Sequence, residues 1–152
     1  MKNLTIITML FVLGFVSSCK KDEATTPAKT KKELLTAKIW IASEASAFGQ
    51  PAYKRGNKPA DQLVDLDKVS LKFNSDGTVT GVDNNGKTLS GAKWTLSADE
   101  TKLTISNSGV IGLDGDLPIV QLQENILEVK GKVIIPQLGT TPIEANVKLI
   151  PQ

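Results

Sequence analysis

Side chains that commonly carry chemistry are scarce in this sequence of 152 residues, which has no histidine and a single cysteine, Cys19. Histidine is the commonest general base and transition-metal ligand near neutral pH, and cysteine is the commonest thiol nucleophile. The serines, lysines and carboxylates show no spacing that indicates a catalytic group. We therefore expect a protein that is not an enzyme and that holds no metal ion.

Cys19 follows a segment that has the features of an export signal. Lys2 precedes an apolar run over residues 4–16, which is too short to span a bilayer as a helix and is followed by two serines. The sequence VSSC at 16–19 resembles the bacterial lipobox. That resemblance implies a signal peptide over residues 1–18, a diacylglycerol on the Cys19 thiol and an N-acyl chain after cleavage, with no other cofactor. An ordinary signal peptide is the alternative.

Residues 19–33 are predicted to be the acylated cysteine and a flexible tether. Apart from Pro27, residues 20–33 contain no apolar side chain larger than alanine, so they cannot bury enough surface to fold. Three acyl chains would hold the protein stably on a membrane. The lysines and acidic residues after Cys19 resemble an export signal of Gram-negative lipoproteins. They imply a lipid anchor in the outer membrane, on its surface-exposed or its periplasmic face.

The basic charge of the chain belongs to its N-terminal part. Residues 1–38 hold seven of the 18 basic residues and three of the 16 acidic ones, which leaves residues 39–152 with 11 and 13, a net charge of −2. A domain with this charge offers no basic surface for a nucleic acid. The expected partners are the membrane, a small apolar ligand or another envelope protein.

Residues 34–152 are predicted to form one all-β domain, because short stretches of alternating apolar and polar residues are separated by turn sequences. Asp76-Gly77 and Asn85-Gly86 are strong hairpin signals. Eight strands in sequence favour a two-sheet sandwich or an eight-stranded antiparallel up-and-down β-barrel, and only the barrel leaves no edge strand. The predicted strands follow a short N-terminal turn and cover roughly 38–45, 67–74, 78–83, 87–97, 101–106, 116–123, 126–135 and 142–150.

Three segments resemble the small lipocalin-like lipoproteins of Gram-negative bacteria. They are LLTAKIW at 34–40, LKFNSDGTV at 71–79 and LSGAKWTLSADETKLTI at 89–105. The resemblance implies a lipocalin-like β-barrel, possibly one with an apolar interior. It rests on these structural positions: Leu35, Trp40, Phe73, Gly77, Gly91, Trp94, Leu96 and Leu103.

The connection over residues 46–66 is predicted to be a long loop over one mouth of the barrel, where such folds admit ligands. Phe48 and Tyr53 are candidate contacts for an apolar or sugar ligand, and Lys54 and Arg55 for a carboxylate. The alternative is that the two aromatic rings close the barrel end.

Trp40 and Trp94 alternate with polar residues on their strands, which indicates core packing and perhaps a role in the wall of a ligand cavity. The sequences at 83–86 and 114–116 suggest calcium ligands, but turn chemistry explains them better.

The sequence leaves two alternative functions for the domain, of which the first is the preferred one. The first is binding of a small apolar or amphipathic molecule inside the barrel, which requires an internal cavity. The second is a non-enzymatic structural or protein-interaction role at the cell surface, which predicts a packed interior and an exposed apolar patch.

Overall fold

The computed structural model of the protein describes residues 28–135 and 138–152. These residues form one short α-helix, nine β-strands and a 3₁₀ helix. In chain order the elements are α1 (Lys31–Thr36), β1 (Ile39–Ala47), β2 (Gln50–Lys54), the 3₁₀ helix (Pro59–Asp61), β3 (Ser70–Phe73), β4 (Val79–Val82), β5 (Lys93–Leu96), β6 (Lys102–Ser106), β7 (Gly115–Gln123), β8 (Ile126–Val133) and β9 (Ile143–Pro151).

Eight of the strands form a nearly closed antiparallel barrel. Their order is β4-β3-β1-β9-β8-β7-β6-β5, so each lies beside the next barrel strand in the chain, and β9 returns to pair with β1. The gap between β4 and β5 is narrowed by a bridge between Thr78 and Lys93 and by a hydrogen bond of 2.9 Å from Val79 N to Ala92 O. The expected eight-stranded up-and-down barrel is confirmed, and it is consistent with a lipocalin-like fold.

The contact between β4 and β5 is the least regular part of the barrel. The strand expected over residues 87–97 is regular over Lys93–Leu96 alone, because the chain before it bends at Gly91, whose φ is 75°. Leu89 N still donates to Gly81 O at 3.0 Å. The segment before β5 therefore lies along β4 without forming a continuous ladder.

The connection over residues 46–66 differs from the expected loop, because it contains β2, which pairs with the end of β1. Phe48 and Gly49 form the turn between the two strands, with φ angles of 53° and 73°. A two-residue turn with two positive φ angles matches the twist of an antiparallel pair. The prediction of a long loop is wrong for this part because Phe-Gly lacks the asparagine or aspartate that usually marks such a turn.

Helix α1 covers one end of the barrel. It begins within the residues that composition assigned to the tether, where Thr30 and Glu33 form a reciprocal capping box. Leu35 is fully buried, and its carbonyl accepts a hydrogen bond of 2.9 Å from Trp40 Nε1. Lys31 Nζ donates to Glu100 O at 2.7 Å, so the helix is also held to the loop on the far side of the barrel.

The interior of the barrel is packed with apolar side chains from every barrel strand and from the connections at both ends. Near the α1 end, the rings of Phe73 and Trp94 lie 5.6 Å apart in an edge-to-face arrangement. The largest of the fully buried side chains are Trp40, Tyr53, Phe73, Leu35, Leu66, Leu71, Leu103, Ile105, Leu113, Leu117, Leu127 and Ile135.

Candidate functional site

Both tryptophans are part of the packed interior. Trp40 Nε1 donates to Leu35 O, and Trp94 Nε1 donates to Asn74 O, each at 2.9 Å. Both rings are buried and both indole donors are satisfied within the chain, so the two side chains are part of the core.

Tyr53 lies inside the other end of the barrel, with 2% of its surface exposed. Its hydroxyl donates a hydrogen bond of 2.8 Å to Asp67 Oδ1. Burial and this hydrogen bond raise the pKa of Tyr53 above its ordinary value, so the phenol stays protonated. The ring therefore lies where it closes this end of the barrel, which was the alternative to a ligand contact.

Phe48 has the opposite environment, because it stands at the tip of the β1–β2 hairpin with 72% of its surface exposed. Its φ of 53° is uncommon for an aromatic residue and adds local backbone strain. The Phe48 ring does not pack in the barrel interior. The two aromatic residues of this connection therefore do not form one site.

Lys54 and Arg55 also point to different surroundings. Lys54 is exposed and lies opposite Glu44 in the β1–β2 ladder. Arg55 Nε donates to Ala42 O at 2.6 Å, and its backbone N–H donates to Ser43 O at 2.8 Å. Arg55 thus ties the connection after β2 to an irregular point of β1, and the pair does not converge on a carboxylate position.

The connection between β6 and β7, residues 107–114, folds into the barrel mouth, and we call it the plug. Asp114 holds its start, because the two carboxylate oxygens accept hydrogen bonds of 2.9 Å from the backbone N–H groups of Ser108 and Gly109. The side chains of Val110 and Leu113, which belong to the plug, are buried. Sequence reasoning missed the plug, although the apolar run from 110 to 113 beside turn residues was a usable signal.

The plug comes so close to β8 that only glycine fits there. A Cβ atom on Gly131 would lie 1.9 Å from Gly112 O. Real Cβ contacts are essentially never shorter than 3.0 Å, so any side chain at this inward-facing position would displace the plug.

Between the plug and the opposite wall remains an apolar cavity of about 10 Å³. This is about the space that one water molecule needs, and it is far below the several hundred Å³ of a typical small-molecule pocket. Small side chains form part of its wall. The lining residues are Ala45, Ala52, Val64, Leu66, Ile111, Gly112, Val133, Ile135, Ala145 and Val147.

The larger concavities lie on the outside of the barrel. One open trough of about 310 Å³ runs over the outer face of β2, β1, β9 and β8, and four of its nine lining residues are charged. A second, of about 520 Å³, continues from it past Ser46 and Asn146 to Phe48. Sequence reasoning missed this surface, which could have been found from the charges alternating along β8 and β9 once their pairing was known.

The aspartates of the two calcium-like sequences serve turns and cross-strand contacts. Asp83 Oδ1 accepts hydrogen bonds of 2.8 Å from Asn85 N and Lys87 N. Asp116 accepts from Lys102 Nζ and Thr104 Oγ1, and these hydrogen bonds lower the pKa of its carboxyl group. Over the part of the chain that the structure describes, no three Cys, His, Asp or Glu side chains cluster in a way that could hold a metal ion.

The predicted signal peptide, Cys19 and most of the predicted tether lie outside the described residues. Within residues 28–135 and 138–152, no helix combines the length and the apolar character needed to cross a membrane.

Neither a protein-family model nor a curated protein matches this chain. The fold and its surfaces define the class: an all-β, up-and-down barrel of eight strands with a filled interior, a lipocalin-like architecture. Since one fold hosts many activities, its function has to be argued from its surfaces.

Proposed function

We propose that this chain is a non-enzymatic lipoprotein of the bacterial cell envelope, whose lipocalin-like barrel is a rigid scaffold for binding another envelope protein. One observation carries the proposal: the described interior is filled, while three large apolar side chains are exposed at one barrel end. They are Phe48, Ile134 and Leu138, with 72%, 51% and 55% of their surfaces exposed. Large apolar side chains exposed at one end of a domain offer a surface for protein contacts.

The direction of the strands supports this arrangement. β1 starts beside α1, and β8 runs in the same direction because both are antiparallel to β9. Phe48 follows β1, and Ile134 and Leu138 follow β8, so all three lie at the end opposite α1. A chain anchored through Cys19 enters the barrel at the α1 end. The apolar end then faces away from the membrane, where a partner has access.

The anchor is tested with Cys19→Ser in the native host. We expect the variant to leave the membrane fraction and to lose metabolic labelling with fatty acid, because the thioether to lipid cannot form. Ser18→Ala keeps a small residue before the cysteine and serves as the control, which should stay lipidated. Lipid labelling that persists in Cys19→Ser would refute the anchor.

The partner contact is tested with a photo-reactive amino acid at Phe48 in living cells. We expect a discrete cross-linked protein from this position and none from Val120, which is 49% exposed on β7 and serves as the matched control. Equal cross-linking from both positions, or none from either, would contradict a binding surface at this end.

Binding of a small apolar molecule is a second candidate, favoured by the apolar lining of the cavity beneath the plug. It requires the plug to move outward, which would enlarge a cavity that now has room for about one water. Native mass spectrometry of the chain extracted from its host in a mild detergent tests it. An added mass that is lost on denaturation, and that Ala145→Val removes by filling the cavity, would support it. A mass of protein and covalent lipid alone would reject it.

A further inference from the structure

Four charged side chains of alternating sign form a row across the outer face of the barrel. Lys54 on β2 lies opposite Glu44 on β1, Glu44 opposite Lys148 on β9, and Lys148 opposite Glu128 on β8. All four line the same trough. The row therefore reads plus, minus, plus, minus across four neighbouring strands, and its net charge is zero.

The middle of this row is paired within the chain, and its ends are not. Lys148 Nζ lies 3.6 Å from Glu44 Oε2, with 36% and 46% of the two side chains exposed. Among the described residues, Lys54 and Glu128 have no ion-pair partner. Cross-strand pairing accounts for the two central charges, but the two outer charges are left facing solvent.

A row of this kind is complementary to itself under a two-fold rotation. The two-fold axis runs parallel to the strands, in the plane between the two copies and level with the boundary between β1 and β9. Rotation about this axis reverses the order of the row in the second copy. Every lysine then faces a glutamate: Lys54 faces Glu128 of the second copy, and Glu44 faces Lys148. The adjacent row, further from α1, contains Pro51, Ser46, Asn146 and Lys130. The same rotation places the Ser46 hydroxyl against the Asn146 amide and Lys130 against Pro51, so this row adds a polar contact but no ion pair.

From this we infer that the outer face of β2, β1, β9 and β8 is a docking surface for a second copy of this chain, in a two-fold symmetric dimer. Isologous contacts of this type are the commonest among homo-oligomers. The axis along the strands leaves both α1 ends on the same side, so two chains anchored in one membrane could form the contact.

The contact is expected to be weak. Four strands at about 4.8 Å spacing give a face of roughly 20 Å by 20 Å, which is smaller than the ~800 Å² per partner of a standard interface. Exposed charge pairs add little affinity and are screened by salt. Confinement on a membrane would compensate by raising the effective concentration.

The test uses purified full-length chain in detergent solution at about 0.1 mM, below the millimolar concentrations that tethering produces. Equal amounts of ¹⁴N- and ¹⁵N-labelled protein are mixed and treated with a zero-length carbodiimide, which joins an amine to a carboxylate in contact. We expect a mixed-isotope peptide pair linking Lys54 to Glu128. Lys54 and Glu128 line the same trough within one barrel, so the mixed isotope label is what separates a link between two copies from a link inside one copy. The link should weaken at about 1 M salt.

Charge reversal separates the interface from effects on the fold. Lys54→Glu alone puts glutamate against Glu128 of the second copy, and Glu128→Lys alone puts lysine against Lys54, so each should weaken dimerisation about tenfold or more. A mixture of the two variants restores every opposite pair and should form a mixed dimer. Lys93→Glu, on β5 outside the row, is the control and should dimerise like the unchanged chain.

Restoration in the mixture cannot come from a folding defect, since both variants fail separately. An unchanged chain that gives no mixed-isotope link at low salt, single variants that dimerise like the unchanged chain, or a mixture of the variants that gives no link would each overturn the inference. None of these outcomes depends on lipid at Cys19, so they leave the proposed membrane anchor untouched.

Discussion

Replacing Gly131 with alanine should destabilise the protein by displacing the plug. Gly131 faces inward on β8, and its added methyl group would start 1.9 Å from Gly112 O. To reach even 3.0 Å, the plug backbone must withdraw by about 1.1 Å. Asp114 limits that movement, because its carboxylate holds the start of the plug through two backbone N–H groups.

The sign of the change in the free energy of unfolding shows whether the plug contact outweighs the usual effect of replacing glycine. In a strand without this contact, Gly→Ala would stabilise the fold by about 0.5–1 kcal/mol, because glycine loses more backbone freedom on folding. Overpacking of a filled core costs about 1–3 kcal/mol. Full expulsion of the plug would expose Val110 and Leu113, at about 1.5–3 kcal/mol for each side chain. We therefore expect a net loss of about 2 kcal/mol and at most about 5.

Urea unfolding followed by tryptophan fluorescence measures this loss, and binding of an apolar dye reports whether the barrel mouth has opened. Gly49→Ala is the matched control: its φ is +73° and nothing lies within 4 Å of the added methyl group. It should lose about 1–2 kcal/mol from backbone strain alone and bind no dye. If Gly131→Ala were as stable as the unchanged chain, or more stable, the plug would not be packed against β8.

Two further predictions concern the closed ends of the barrel. Leu35→Ala should lower the free energy of unfolding in urea by about 2–5 kcal/mol and shift Trp40 emission to the red, because the buried side chain and its helix close one end. Leu138→Ala, at an exposed position, is the control and should change stability by less than about 0.5 kcal/mol. Equal losses in the two variants would contradict the role of α1. Tyr53→Phe should cost about 1 kcal/mol by removing the hydrogen bond to Asp67. Since burial raises the folded-state pKa of Tyr53, the stabilising contribution of its protonated phenol is present below pH ~10 and is lost as the pH rises further. If the unchanged chain and Tyr53→Phe had the same dependence of stability on pH between pH 8 and 11, this role of the phenol would be refuted.

The barrel could be predicted from the sequence because its signal repeats along every strand. On β8, Leu127, Val129 and Val133 are buried and the charged residues between them face outward, as period-two alternation requires. Among the described barrel strands, β9 and β1 alone pair across most of the domain sequence, and this pairing follows from closing the sheet.

The ends of the barrel could not be predicted in the same way, because they depend on contacts between distant residues. The fit of the plug requires Gly131 and Gly112 to meet, and neither residue signals this locally. The capping box of Thr30 and Glu33 was readable from sequence but was outweighed by the polar composition around it. For Tyr53 the sequence allows both a ligand contact and closure of the barrel end, and the burial of the ring and its hydrogen bond to Asp67 are tertiary features that no local pattern encodes.

Local rules and the observed structure disagree most at Phe48, and this disagreement bears on function. A hairpin turn with two positive φ angles favours asparagine, aspartate or glycine at its first position, yet an aromatic residue stands there with φ 53°. Its ring is 72% exposed, so burial within the barrel does not offset the strain. Residues that break a local rule without an internal gain concentrate at functional positions. Because the described interior has space for about one water molecule, a contact outside the chain explains this residue better than a ligand inside it.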